Sequence, residues 1–193
     1  MLPNLEKYKI LLASHSPRRR ELLSQLRVPF NTIGLKDIDE TYPETLPAED
    51  VPQFLANKKA DAYSRHLKQG DLLITADTLV ILDEKILGKP KDHDAAVAML
   101  HELSGKQHRV VSGVCVTTAS RRITFSTVTD VKFAELEDCD IEYYVNNFQP
   151  YDKAGGYGIQ EWIGYVAVEW IRGSYYNVMG LPVHQLYEEL KHF

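Results

Sequence analysis

Four cations and two carboxylates of this chain occupy contexts unusual for charged residues: Arg18, Arg19, Lys59 and Lys89, with Glu40 and Asp77. Such a set suits a polyphosphate held by guanidinium and ammonium groups, with a divalent cation held by the carboxylates. Phosphoryl transfer requires positioning, charge neutralisation and an activated water. A carboxylate beside a metal can orient that water and accept its proton.

Asp77 is the most informative of the six. It interrupts an apolar run that extends over residues 72–82. An unpaired buried charge is costly, so a cation must stand beside it, either a metal or a basic side chain. A catalytic or metal-binding carboxylate and an inert buried salt bridge both satisfy that demand. The second informative stretch is Ser14-His15-Ser16-Pro17-Arg18-Arg19-Arg20. Ser16 suits a helix N-cap and Pro17 the first helical position. Cations at a helix N-terminus oppose the dipole, and a bound anion would reverse that penalty. The alternative is a capped surface helix with a solvated basic turn.

The elements that must position these groups alternate strand and helix. Residues 8–13 predict a buried strand, 18–26 a helix and 30–33 a second extended piece, an α/β opening. The acidic cluster Asp37-Ile38-Asp39-Glu40 falls in a loop and offers hard oxygen ligands. Residues 50–67 show helical spacing through Val51, Phe54, Leu55, Lys58 and Ala62. Residues 72–82 predict a strand, Asp83-Glu84 a hairpin turn, and 93–103 a helix. Two strands, 107–118 and 121–131, turn at Ala119-Ser120. A short helix is predicted at 138–146, a strand at 164–172, a turn at 173–176, and a last helix with Leu186, Tyr187 and Leu190 inward. Lys89 lies between Gly88 and Pro90 on a rigid loop. The run Asp152-Lys153-Ala154-Gly155-Gly156-Tyr157-Gly158-Ile159-Gln160 reads as a loop whose backbone approaches something closely or, equally, as a plain irregular turn. It lacks the Gly-Lys-Ser/Thr ending of a Walker loop.

The chain has 193 residues and a formal net charge of −5, which argues against a polynucleotide-coating protein. Cys115 and Cys139 form no disulfide framework and no zinc spacing, and Cys115 reads as a small core hydrophobe. His101 and His108 read as surface residues. No signal peptide and no membrane-spanning run is apparent, so the expectation is a soluble cytoplasmic protein without a membrane partner.

Four segments together resemble the Maf family of nucleoside triphosphate pyrophosphatases. They are Ser14-His15-Ser16-Pro17-Arg18-Arg19-Arg20-Glu21-Leu22-Leu23, Ala76-Asp77-Thr78, Gly88-Lys89-Pro90 and the run from Asp152 to Gln160. The resemblance covers residues 9–190, in the family order. It implies a single α/β domain over 1–193, related to the inosine triphosphate pyrophosphatases, with a mixed sheet, flanking helices and a cleft between two lobes. It implies cleavage of a nucleoside triphosphate between the α and β phosphates with Mg²⁺ or Mn²⁺. Carried over, Asp77 is the proton acceptor and, with Glu40, a metal contact. Ser14, Arg19, Lys59 and Lys89 bind phosphates. Lys59 is preferred to Lys58 because the family lysine directly precedes an alanine.

Arg18, Thr78 and Gln160 match the branch of the family that acts on dTTP and UTP, as opposed to the 7-methyl-GTP branch. The Gln160 amide offers a donor and an acceptor, which suits a pyrimidine edge. Gly156 stands where alanine is common, and Glu161-Trp162 where a glycine is common, so modified pyrimidine triphosphates remain candidate substrates. A homodimer is common in the resembled family. Family members are also linked to septum formation, so a regulatory binding protein of cell division is the alternative reading.

Overall fold

The computed structural model describes residues 2–34 and 38–193. Asp37, first of the acidic cluster, lies outside them. The fold is mixed α/β, with strand order β2-β1-β3-β5-β6-β7 and β4 on β3. The strands are β1 (Lys9–Ala13), β2 (Asn31–Ile33), β3 (Asp71–Leu82), β4 (Lys85–Leu87), β5 (Gln107–Thr117), β6 (Arg122–Phe133) and β7 (Val168–Arg172). β1 pairs in parallel with β2 and β3, whereas β3–β4 and β6–β7 are antiparallel, so the sheet is mixed. The seven α-helices among the described residues are α1 (Pro17–Gln25), α2 (Val51–Ser64), α3 (His93–Leu103), α4 (Asp138–Phe148), α5 (Trp162–Ala167), α6 (Tyr175–Met179) and α7 (Val183–Leu190).

The chain divides into two compact units. The first comprises Met1–Thr78, Ser112–Thr127 and Gly180–Phe193; the second comprises Leu79–Val111 and Val128–Met179. Three of the four boundaries fall within β3, β5 and β6, and the fourth at the end of α6.

In the first unit, β1 has parallel neighbours on both edges, and its Ile10, Leu11, Leu12 and Ala13 are all buried. A near-continuous apolar run is what such a strand needs. Leu11, Ala13 and Leu73 form a cluster with Tyr63 of α2. Ala56 and Ala60 of α2 pack with Cys115 of β5. Small residues permit close approach there, and Gly113 carries it to its limit. A Cβ on Gly113 would stand 2.2 Å from the Gln53 backbone nitrogen. Burial pushes the Cys115 thiol up to about 11, in keeping with an inert core residue.

In the second unit, Ala96, Leu100 and Leu103 of α3 and Ile141, Tyr144 and Val145 of α4 are buried. Asp83 and Glu84 both have positive φ, as a two-residue hairpin turn of matching twist requires.

Several expectations are corrected. The predicted strand over 164–172 is a helix, α5, followed by the strand β7 only from Val168. Its β-branched and aromatic residues favour a strand locally, but Gly164 seats a helical turn directly on Ile159, where a Cβ would lie 2.0 Å from the Ile159 carbonyl oxygen. The turn at 173–176 is shorter than predicted, because α6 starts at Tyr175, with Ser174 Oγ accepting from Asn177 N at 3.3 Å. On α2 the inward face is Val51, Leu55, Ala56, Lys59, Ala60 and Tyr63, and Phe54 is exposed. On α7 Tyr187 is only half-buried. His108 is no surface residue: it is 2 % exposed and packs edge-on against Phe133 and Tyr157.

Candidate active site

The loop between β1 and α1 is built as its residue types require. Ser14 is buried, and its Oγ accepts from Ser16 N at 3.1 Å. Ser16 caps α1 by accepting from Arg19 N at 3.4 Å, and Pro17 occupies the first helical position. The three arginines therefore do fall in the first turn of α1. Arg18 and Arg19 are half-buried and Arg20 is exposed.

Arg19 reaches away from the helix into its own unit. Its Nη1 donates to Ala76 O at 2.8 Å and its Nη2 to Thr78 Oγ1 at 3.0 Å. These two bonds bracket Asp77 in sequence. Its Nε donates to Gly180 O at 2.8 Å. Burial lowers the pKa of the guanidinium from its ordinary value, and the nearby Asp77 carboxylate opposes that shift. Thr78 Oγ1 also lies 2.8 Å from Ser112 Oγ and 3.2 Å from Gly180 O.

Asp77 is 9 % exposed and Lys59 only 4 %. Lys59 Nζ donates to Asp77 Oδ1 and lies 2.8 Å from Glu40 Oε1. The cation demanded beside Asp77 is thus the ammonium of Lys59. The helix explains which lysine it is. Lys59 falls on the inward face of α2, between Ala56 and Ala60, whereas Lys58 points to Thr41 O at 2.8 Å and Asp39 Oδ2 at 3.3 Å. Asp39 in turn accepts from the Thr41 hydroxyl, which lowers the pKa of its carboxyl. Of the described acidic loop, Glu40 is the member that turns to Lys59. Ser14, Arg18, Arg19, Glu40, Lys59, Asp77 and Thr78 all belong to the first unit.

Lys89 and Gln160 belong to the second unit, and both are exposed. Two of the sequence segments meet there: Gly155 N donates to Gly88 O at 3.0 Å, next to Lys89. Gly155 and Gly156 both have positive φ, and a Cβ on Gly155 would stand 2.9 Å from Val80 Cγ2. Lys153, in the same loop, is buried between Asp152 Oδ1 at 2.7 Å and Glu161 Oε1 at 3.0 Å.

A family model described as Maf-like protein matches residues 9–193. The chain belongs to the Maf family. This Maf protein is 56 % identical over 191 residues to a dTTP/UTP pyrophosphatase of Phocaeicola vulgatus, covering 99 % of each chain. It is 53 % identical over 193 residues to a protein of the same description from Parabacteroides distasonis, covering 100 % of both. A third, from Porphyromonas gingivalis, is 54 % identical over 195 residues, covering 100 % of this chain and 98 % of the relative.

Sequence reasoning missed the contributions of Gly180, Ser112 and Tyr144. Gly180 acts through its carbonyl and Ser112 through a strand position, and neither leaves a compositional signal. Among the described residues, no helix is long and apolar enough to cross a membrane. No group of three or more His, Cys, Asp and Glu among them could hold a metal ion.

Proposed function

We propose that this Maf protein hydrolyses dTTP and UTP, and modified pyrimidine triphosphates of similar edge, to the monophosphate and pyrophosphate. The observation that carries the reading is the buried Lys59 ammonium bonded by two carboxylates, Asp77 and Glu40. The relatives described as dTTP/UTP pyrophosphatases support the substrate. The reading takes all 193 residues as one Maf-like domain.

Asp77 accepts the proton of the attacking water as the bond between the α and β phosphates breaks and pyrophosphate leaves. An ionised carboxylate has about four acceptor positions, so Asp77 keeps capacity beyond the bond from Lys59. Lys59 orients that carboxylate and places positive charge beside the phosphates, where Ser14 and Lys89 also act. Arg19 has donors beyond the three already bonded and adds charge. Arg18, Thr78 and Gln160 select the base. Thr78 does so from a hydroxyl held by its neighbours.

The residues fit a divalent cation. Glu40 and Asp77 converge on one cationic atom, and Mg²⁺ is commonly held by one or two carboxylates together with substrate phosphates. Glu40 and Asp77 would hold it. When bound, it neutralises phosphate charge and polarises the scissile bond.

The test is pyrophosphate release from dTTP, UTP, CTP, GTP, 7-methyl-GTP and ITP with Mg²⁺ or Mn²⁺. Release from dTTP and UTP above the rest is expected. Release confined to purine nucleotides would discard the pyrimidine reading, and no release from any nucleotide would discard the reaction.

A further inference from the structure

Gln160 sits at the exposed tip of a four-residue turn, closed by Glu161 N donating to Gly158 O at 2.9 Å. Both ends of that turn are tied to one phenol. Gly158 N donates to Tyr144 Oη at 3.0 Å, and Tyr144 Oη donates to Glu161 Oε2. The other oxygen of Glu161 faces Lys153 Nζ at 3.0 Å, and Lys153 is 9 % exposed. Ile159, between the ends, is buried. Gly158 leaves no slack: a Cβ there would stand 2.8 Å from Glu161 Cδ and 2.9 Å from Lys153 Cε. Burial and the bond to Glu161 raise the pKa of Tyr144, in keeping with a phenol that donates.

Lys153 is buried and Glu161 half-buried, and the desolvation of such a pair offsets much of its attraction, so it is weak support for stability. What this pair does is geometric. It fixes Glu161, and through Tyr144 it fixes Gly158, so that Gln160 is displayed from a turn whose two ends are both held. A side chain that reads a base by hydrogen bonds gains selectivity when its backbone is preorganised.

We propose that Tyr144, Lys153 and Glu161 form a clamp that positions Gln160 and thereby sets selectivity for the pyrimidine base. The three are positioning residues. The proposal rests on the reading of Gln160 given above, and it assigns a purpose to Glu161, where the resembled family commonly has glycine.

The experiment compares kcat and KM for dTTP and CTP in Tyr144→Phe, Glu161→Ala, Glu161→Gln and Gln160→Ala, each checked for folding by its thermal midpoint. Tyr144→Phe and Glu161→Ala should lower the dTTP-over-CTP ratio of kcat/KM by about tenfold, mostly through KM for dTTP, with kcat within about twofold. Glu161→Gln, which keeps an acceptor for Tyr144, should recover most of that ratio. In Gln160→Ala the ratio should already be lost, and adding Glu161→Ala should cost nothing more. If Gln160→Ala collapses the ratio while the folded clamp variants and Glu161→Gln keep it, the clamp is overturned and the Gln160 reading stands. If Gln160→Ala leaves the ratio unchanged, the Gln160 reading fails and takes the clamp with it. An equal loss of kcat for both nucleotides, with the ratio unchanged, would mark a merely structural role and overturn the clamp.

Discussion

The guanidinium of Arg19 donates to the hydroxyl of Thr78 at 3.0 Å, and its neighbouring nitrogen donates to the carbonyl of Ala76 at 2.8 Å. One side chain from α1 thus grips β3 on either side of Asp77. The resemblance to the family implied that Arg19 binds phosphate. The structure adds that most of its fork is already spent on the protein.

Replacing Arg19 by lysine should therefore cost stability as well as activity. A lysine ammonium cannot span three acceptors set in a planar fork. The carbonyl of Ala76 would lose its guanidinium donor, at roughly 1–3 kcal/mol if it stays buried without another, while Gly180 O would keep the Thr78 hydroxyl at 3.2 Å. Denaturant unfolding of Arg19→Lys should show a lower midpoint with an unchanged slope. An unchanged midpoint would mean that the phosphate is its main partner.

Asp77→Asn should lower kcat by at least about 10²-fold, the usual worth of a positioned base. Glu40 still bonds the Lys59 ammonium at 2.8 Å, so the buried cation keeps a partner and the fold should survive. Single-turnover rates and dTTP binding, measured on the same preparation, separate the two effects. Loss of binding and of folding together would make Asp77 a structural ion-pair residue.

Gly113→Ala should disrupt the first unit severely. The new methyl would meet backbone atoms of Pro52 and Gln53 at 2.2 to 2.3 Å, and backbone cannot swing aside as a side-chain tip can. Overpacking of a well-filled core costs about 1–3 kcal/mol, and contacts with backbone belong at or above the upper end. The thermal midpoint of the variant against the parent is the measurement.

His108 gives the protein an acid limit. Burial pushes its imidazole from 6.5 down to about 4. Between those values the unfolded chain binds a proton that the folded chain does not, so stability is full above the unfolded pKa and falls as the pH drops towards the folded one. The loss reaches about 3 kcal/mol once both states are protonated. His108→Gln should flatten urea stability between about pH 7 and pH 4 relative to the parent. Equal slopes in the two proteins would place the acid sensitivity on other groups.

The sequence by itself determined the element order as far as the helix that begins at Asp138, the family and the identity of the charged residues. Strand and helix periodicity survive in a linear chain, and an aspartate inside an apolar run announces a buried charge wherever the run folds. It also placed the Ser16 cap and Pro17 correctly, because capping is settled within one turn. What only the tertiary structure decided was pairing. That Lys59 stands beside Asp77 depends on which face of α2 meets β3. That residues 162–167 form a helix depends on Gly164 finding the carbonyl of Ile159 beneath it, against their local preference for a strand. That Glu161 holds the turn of Gln160 depends on Tyr144, from another helix, arriving at the same point. Contacts between residues distant in sequence are set by packing, which no local spacing encodes.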